Sequence, residues 1–173
     1  MFDRLDAVTE LPWPQPASGG LFELGRRVAG RGEYRGLTFH EVEAKTILNH
    51  VPWDRFGFNW TINPYRGCSH ACVYCFARPT HEYLGFDVGS DFESEIVVKI
   101  NAVELARAET APGRWAGELI AMGTNTDPYQ PAEGKYRLTR GVLEVLVERS
   151  NPFSILTKST LVLRDLDLFV EAA

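Results

Sequence analysis

The chain has 173 residues, 45% of them apolar and 24% charged, with a formal net charge of −5. One soluble-type domain with room for a real core is the default for that length and composition. The acidic balance argues against a surface that is basic as a whole, as nucleic-acid binding would favour, and leaves room for a local basic channel. No stretch approaches the roughly 18 apolar residues of a membrane span, and the opening Met1–Ala7, with its acids and no long apolar core, is unlike a secretory signal.

Residues 1–33 are weakly patterned. Pro12, Pro14 and Pro16, followed by Ser18-Gly-Gly20, predict an extended or mobile arm. Arg26, Arg27, Arg31 and Arg35 form a loose basic run, read first as solvated surface and second as a phosphate contact. Leu37–Phe39 suggests a short strand, and His40–Asn49 a short helix with Val42, Ile47 and Leu48 inward, ended by Pro52. Asn59–Ile62 is a β-prone run. After a loop rich in Gly, Pro and Cys, Ser90-x-x-Glu93 reads as a capping box, and Phe92, Ile96, Ile100 and Val103 predict one amphipathic helix to about Ala108. Glu118–Met122 reads as a buried strand; Leu138, Val142, Val145 and Leu146 mark a helix ended near Asn151-Pro152. Phe153–Leu156 is a further strand, and a last helix begins at Arg164 with Leu166, Phe169 and Val170 inward. This alternation of strands and helices implies parallel strands joined by right-handed crossovers. A polar string follows each of the three strands: the cysteine loop, Thr124–Asp127 and Thr157–Ser159.

The three cysteines of the chain all fall in Cys68-Ser-His-Ala-Cys72-Val-Tyr-Cys75, spaced C-x3-C-x2-C. Clustered thiols without a secretory signal read as metal binding in a reducing compartment, and the cytoplasm is the expected location. Thiolates select zinc, copper(I) or iron–sulfur clusters. A four-iron cluster ordinarily takes one cysteine per iron. With three cysteines, either a histidine completes the site, His70 and His81 being at hand, or one metal position stays open to a small molecule.

The spacing, with Tyr74 before the last cysteine, resembles the cluster loop of the radical S-adenosylmethionine (SAM) superfamily. Asn63-Pro-Tyr-Arg-Gly-Cys68, Tyr74-Cys75-Phe-Ala-Arg-Pro-Thr-His81-Glu-Tyr-Leu-Gly85, Gly123-Thr-Asn-Thr-Asp-Pro-Tyr-Gln130 and Thr157-Lys158-Ser159 resemble its branch related to spore photoproduct lyase, often labelled DNA repair photolyase. The resemblance runs from about Tyr34 to the end of the chain. It implies a [4Fe–4S] cluster on Cys68, Cys72 and Cys75, with the fourth iron chelating SAM. Reductive cleavage would then give a 5′-deoxyadenosyl radical that abstracts hydrogen from a substrate. It implies Tyr74 near the adenine, Thr124, Asn125 and Thr126 near the methionine amino group, and Lys158 with Ser159 near the carboxylate. The family more often carries a Gly-Gly-Glu-like string at 124–126. Each residue also has a structural reading: Tyr74 as loop packing, Thr124–Asp127 as a turn, Lys158 as a strand-end lysine reaching solvent, His81 as a core histidine. Asp127, Tyr129 and Gln130 are candidates to face substrate.

The fold that the resemblance implies is α/β, a partial (βα) TIM-type barrel. About three of six βα units are present at residues 56–173, preceded by a partly irregular extension at 1–55. Active sites of such barrels collect at the C-terminal ends of the strands. A barrel of three units leaves its third strand with a free edge, which predicts self-association or pairing with a missing C-terminal half. The implied partners are SAM, an electron donor such as a flavodoxin or ferredoxin, and DNA through the branch label, with no membrane. The competing expectation is a non-catalytic iron–sulfur or zinc module, and metal identity separates the two.

Overall fold

A computed structural model describes residues 22–51 and 57–173. Its strands are β1 (Phe22–Ala29), β2 (Thr38–Ala44), β3 (Leu48–His50), β4 (Trp60–Ile62), β5 (Tyr65–Arg66), β6 (Glu95–Lys99), β7 (Ile120–Met122) and β8 (Phe153–Ile155). Its α-helices are α1 (Ser90–Ser94), α2 (Ala102–Glu109), α3 (Pro131–Tyr136), α4 (Leu138–Glu148) and α5 (Leu166–Ala172). The described strands form two four-stranded sheets, ordered β1-β2-β6-β5 and β3-β4-β7-β8. In the second, β4, β7 and β8 run parallel, while β3 joins antiparallel at the edge. Side chains from both sheets and from α2–α5 meet in one core that includes Phe39, Ile62, Ile96, Ile120, Met122, Leu143 and Leu146.

The three expected strands that precede the polar strings are β4, β7 and β8. Expected helix α4 is present too, with Leu138, Val142, Val145 and Leu146 buried. The ladder is parallel with aligned ends: Ile62 pairs with Met122, and Met122 with Ile155. The chain therefore leaves all three strands at one rim. Gly123 makes the crossing there possible. It sits at φ +92, and a Cβ on it would lie 2.0 Å from the Leu156 carbonyl oxygen. β8 is the outer strand of its sheet, and Leu156 just beyond it is 72% exposed.

Within the extension at 1–55, residues 22–29 form β1, paired antiparallel with β2; the proline and Ser-Gly-Gly segment lies outside the described residues. Four expectations are corrected. His40–Asn49 is not a helix but most of β2 followed by β3. Glu41 takes the same side of β2 as Phe39, where the Tyr136 hydroxyl donates to it at 2.7 Å. A carboxylate at an inward position hid the strand's alternation.

The long helix over 90–108 is instead α1, β6 and α2. Ile96, Val97 and Val98 are all buried, because β6 lies between β2 and β5 with both faces covered. A strand buried on both faces has no alternation to read, and its apolar run mimics helical spacing. The capping box does not form either: Gly89 holds the N-cap position of α1, and Asp87 accepts the backbone N–H groups of Gly89 and Ser90 at 2.8 and 3.1 Å. Finally, a 3-10 turn over Thr160–Asp165 precedes α5 and shifts the helix phase. Leu168 turns inward and Phe169 packs on Phe153, while Leu166 and Val170 face solvent.

Candidate functional site

The cysteine loop leaves β4 through Asn63 and β5 and is gripped from two sides. Behind it, the Cys68 N–H donates to the Phe92 carbonyl at 2.8 Å, and Cys68 is buried against Ala77 and Phe92. Arg78 donates to the Cys72 carbonyl at 3.0 Å and to the Val88 and Gly89 carbonyls, and it pairs with Glu93. Its guanidinium also lies over the Phe92 ring. Ala71 takes a left-handed conformation, φ +52, where the chain turns between the first two cysteines.

In front, the string after β7 holds the loop. Gln130 is fully buried; its amide donates to the Gly67 carbonyl at 3.0 Å and accepts the Ser69 N–H at 3.2 Å. The Thr126 hydroxyl donates to the same Gly67 carbonyl at 2.6 Å and accepts from Gln130. Asp127 joins three segments. It accepts the Tyr129 N–H at 2.8 Å, the Thr157 hydroxyl at 2.7 Å and the Lys158 N–H at 2.8 Å. His70 Nε2 lies 3.3 Å from Asp127 Oδ2, the oxygen that also accepts the Lys158 N–H. Burial pushes the Asp127 carboxyl up, but these donors outweigh it and hold the carboxyl below its usual value.

Burial raises the Cys68 thiol, while the nearby backbone amides of Asp127 and His70 pull the other way. Lys158 Nζ lies 3.1 Å from Cys72 Sγ and 5.8 Å from the centre of the Tyr74 ring. The bond to Cys72 raises the lysine's pKa, and the Cys72 and Tyr74 charges add to it. Among the described residues, no group of three or more His, Cys, Asp or Glu side chains is gathered to hold a metal ion. The donor chemistry nonetheless fits a thiolate-held group: three soft ligands on one short loop, with the Lys158 ammonium already aimed at one sulfur.

The remaining sequence candidates divide. Tyr74 is 84% exposed, flanked by exposed Val73 and Phe76, so it does not pack the loop. Thr124 and Asn125 are half-buried at the rim, in long contacts of 3.5 Å with Asn63 and Thr80. Thr126 is buried and spends its hydroxyl on the cysteine loop. The Ser159 hydroxyl accepts the Leu161 N–H and caps the 3-10 turn. Tyr129 and Gln130 are fully buried. His81 is fully buried as well, with Nε2 on the Glu95 carbonyl at 3.0 Å and its ring stacked on Phe86; burial lowers its pKa.

Sequence reasoning passed over Arg78 and Asn63. Asn63 is buried at the end of β4 and its Oδ1 has no hydrogen-bond partner. A cleft of about 570 Å³ opens elsewhere, lined by Arg26, Arg27, Arg31, Tyr34, Phe39 and Lys135, and touches no residue of the cysteine loop. Arg26, Arg27, Arg31 and Arg35 are exposed, as expected of a solvated rim.

Comparison with known proteins places these residues among relatives rather than in a family. The chain is 50% identical over 169 residues to an uncharacterized protein of Mycobacterium tuberculosis, covering 96% of this chain and 50% of the relative. It is 37% identical over 129 residues to an uncharacterized protein of Methanocaldococcus jannaschii, covering 75% of this chain and 46% of that one. It is 34% identical over 116 residues to an uncharacterized protein of Acidianus two-tailed virus, covering 65% and 38%. The chain thus spans about half the length of the curated relatives it matches most fully. No family model matches the chain. No solved structure matches it. Among the described residues, no helix is long and apolar enough to cross a membrane.

Proposed function

We propose that this chain holds a [4Fe–4S] cluster on Cys68, Cys72 and Cys75 and binds SAM beside it, as the cofactor-binding part of a radical SAM enzyme. One observation carries the reading. The C-x3-C-x2-C loop leaves the first of three parallel strands at the rim where the strings after the other two also emerge, and those strings contact it through Gln130, Asp127 and Lys158. Bound there, the reduced cluster and SAM supply one-electron chemistry that ends in hydrogen abstraction from a substrate.

The chain's own residues position and insulate that chemistry. Gln130 and Thr126 hold the loop backbone at Gly67 and Ser69. Asp127 holds the Thr157–Lys158 segment against it. Asn63, with its unpartnered Oδ1, and Thr124 and Asn125 beside it offer polar groups for the amino end of methionine. Tyr74 offers an exposed aromatic face for the adenine. The Ser159 hydroxyl already serves as a cap, so Lys158 is the better candidate for the carboxylate end. DNA as the substrate is supported by the resemblance alone, and the cytoplasm by the need to keep three thiols reduced.

Anaerobic reconstitution with iron and sulfide, followed by metal analysis, tests the reading. About four irons and four acid-labile sulfides per chain are expected. Cys68→Ala, Cys72→Ala and Cys75→Ala should each lose most of both. Zinc bound without sulfide would sink the proposal in favour of a structural metal loop.

A further inference from the structure

We infer that Lys158 sets the reduction potential of the cluster by donating a charged N–H···S hydrogen bond to Cys72 Sγ. The inference rests on the cluster reading above and assigns Lys158 a role toward the metal centre itself. Its basis is the 3.1 Å separation between Lys158 Nζ and Cys72 Sγ. The two residues lie 86 positions apart, and the contact bridges the loop after β4 and the segment after β8.

The contact does not depend on a free-swinging side chain alone. The Lys158 backbone N–H is bound to Asp127 Oδ2 at 2.8 Å. The preceding Thr157 hydroxyl donates to Asp127 Oδ1 and accepts the Ser159 N–H at 3.0 Å. Asp127 is in turn held by the Tyr129 N–H. The base of the lysine is therefore pinned, and its ammonium also lies over the Tyr74 ring at 5.8 Å. On the loop side, the Cys72 carbonyl is held by Arg78 at 3.0 Å.

A thiolate ligand carries more negative charge when the cluster it holds is reduced. A donor on that sulfur stabilises the reduced state more than the oxidised one, and raises the potential. A cationic donor does so more strongly than a neutral amide. Among the described residues, Cys72 is the one of the three sulfurs with an ammonium within hydrogen-bond distance. Lys158 is thus the charged lever on the couple, and Asp127 is the positioning residue that aims it.

The test is an EPR-monitored potentiometric titration of the reconstituted full chain without SAM, comparing wild type, Lys158→Met and Lys158→Arg. Lys158→Met keeps the stem and removes the charge; it should bind wild-type amounts of iron and sulfide and show a more negative midpoint potential. Lys158→Arg should return most of the shift. An unchanged potential in a fully loaded Lys158→Met chain overturns the inference and leaves the cluster reading standing, above all if SAM affinity has fallen instead. A Lys158→Met chain that assembles no cluster while Lys158→Arg does overturns it in favour of a role in assembly. Wild type that takes up no iron overturns both.

Discussion

Glu133→Ala is expected to cost about 3–5 kcal/mol of folding stability, the range for removing one partner of a buried ion pair. Glu133 is fully buried on α3. Its carboxylate accepts the Tyr65 hydroxyl at 2.5 Å and the Thr139 and Arg140 backbone N–H groups at 2.8 and 3.2 Å, and it pairs with Arg164 at 2.7 Å. The Thr139 and Arg140 amides open α4, whose N-cap residue supplies no side-chain bond, so Glu133 acts as the missing cap. Alanine would orphan those amides and the buried Tyr65 hydroxyl. It would also leave Arg164 with Asp165 as its remaining acidic partner.

Denaturant titration of wild type, Glu133→Gln and Glu133→Ala checks this. Glu133→Gln keeps an acceptor for the amides and should lose less than alanine. A change below about 1 kcal/mol for alanine, the scale of an exposed pair, would show that the network adds little. The neighbouring Asp165 gives the sign of the pH dependence. Burial pushes its carboxyl up, but Arg164 and Arg140 pull it further down, so its pKa is lowered in the folded chain. Its stabilisation is present above the ordinary Asp range and is lost as the pH falls through the folded value.

Lys99→Met should work in the opposite direction and stabilise the chain at pH 7. Lys99 is 4% exposed at the end of β6, and burial lowers its pKa to about 7, with the Arg66 charge adding to the shift and Glu109 opposing it. The unfolded chain keeps this proton to about pH 10, the folded chain releases it near 7, and between those values the unfolded state binds more protons. Stability therefore rises with pH across that window, and the full penalty applies below it. At 1.36 kcal/mol per unit, the shift from 10.5 to about 7 corresponds to a penalty of at most about 5 kcal/mol. Urea titrations from pH 6.5 to 9.5 should show the gap between Lys99→Met and wild type closing as pH rises. A gap that stays constant would mean that the amine is charged throughout.

The parts of the fold legible in the sequence are those whose patterns are local. β4, β7 and β8 are short apolar runs that end in polar strings, and α4 keeps one apolar face over three turns. β6 was not legible because both of its faces are covered, and β2 because Glu41 points at Tyr136 from a core-facing register position. The site divides the same way. The three cysteines announce themselves by spacing alone. What Thr126 and Ser159 do with their hydroxyls is decided by Gly67, 59 positions away, and by a 3-10 turn that no periodicity marked. Gln130 looked able to face a substrate, yet it is sealed against Gly67 and Ser69, a contact between residues 61 apart or more that only the folded chain creates.

The central claim is that the Cys68–Cys75 loop and the neighbouring strand ends form a cluster site with an open iron for SAM. Electron paramagnetic resonance of anaerobically reconstituted, reduced protein, recorded with and without SAM, tests it most directly. The cluster reading predicts a [4Fe–4S]+ signal whose shape changes when SAM is added. No cluster signal after reconstitution, or a signal indifferent to SAM, would contradict it.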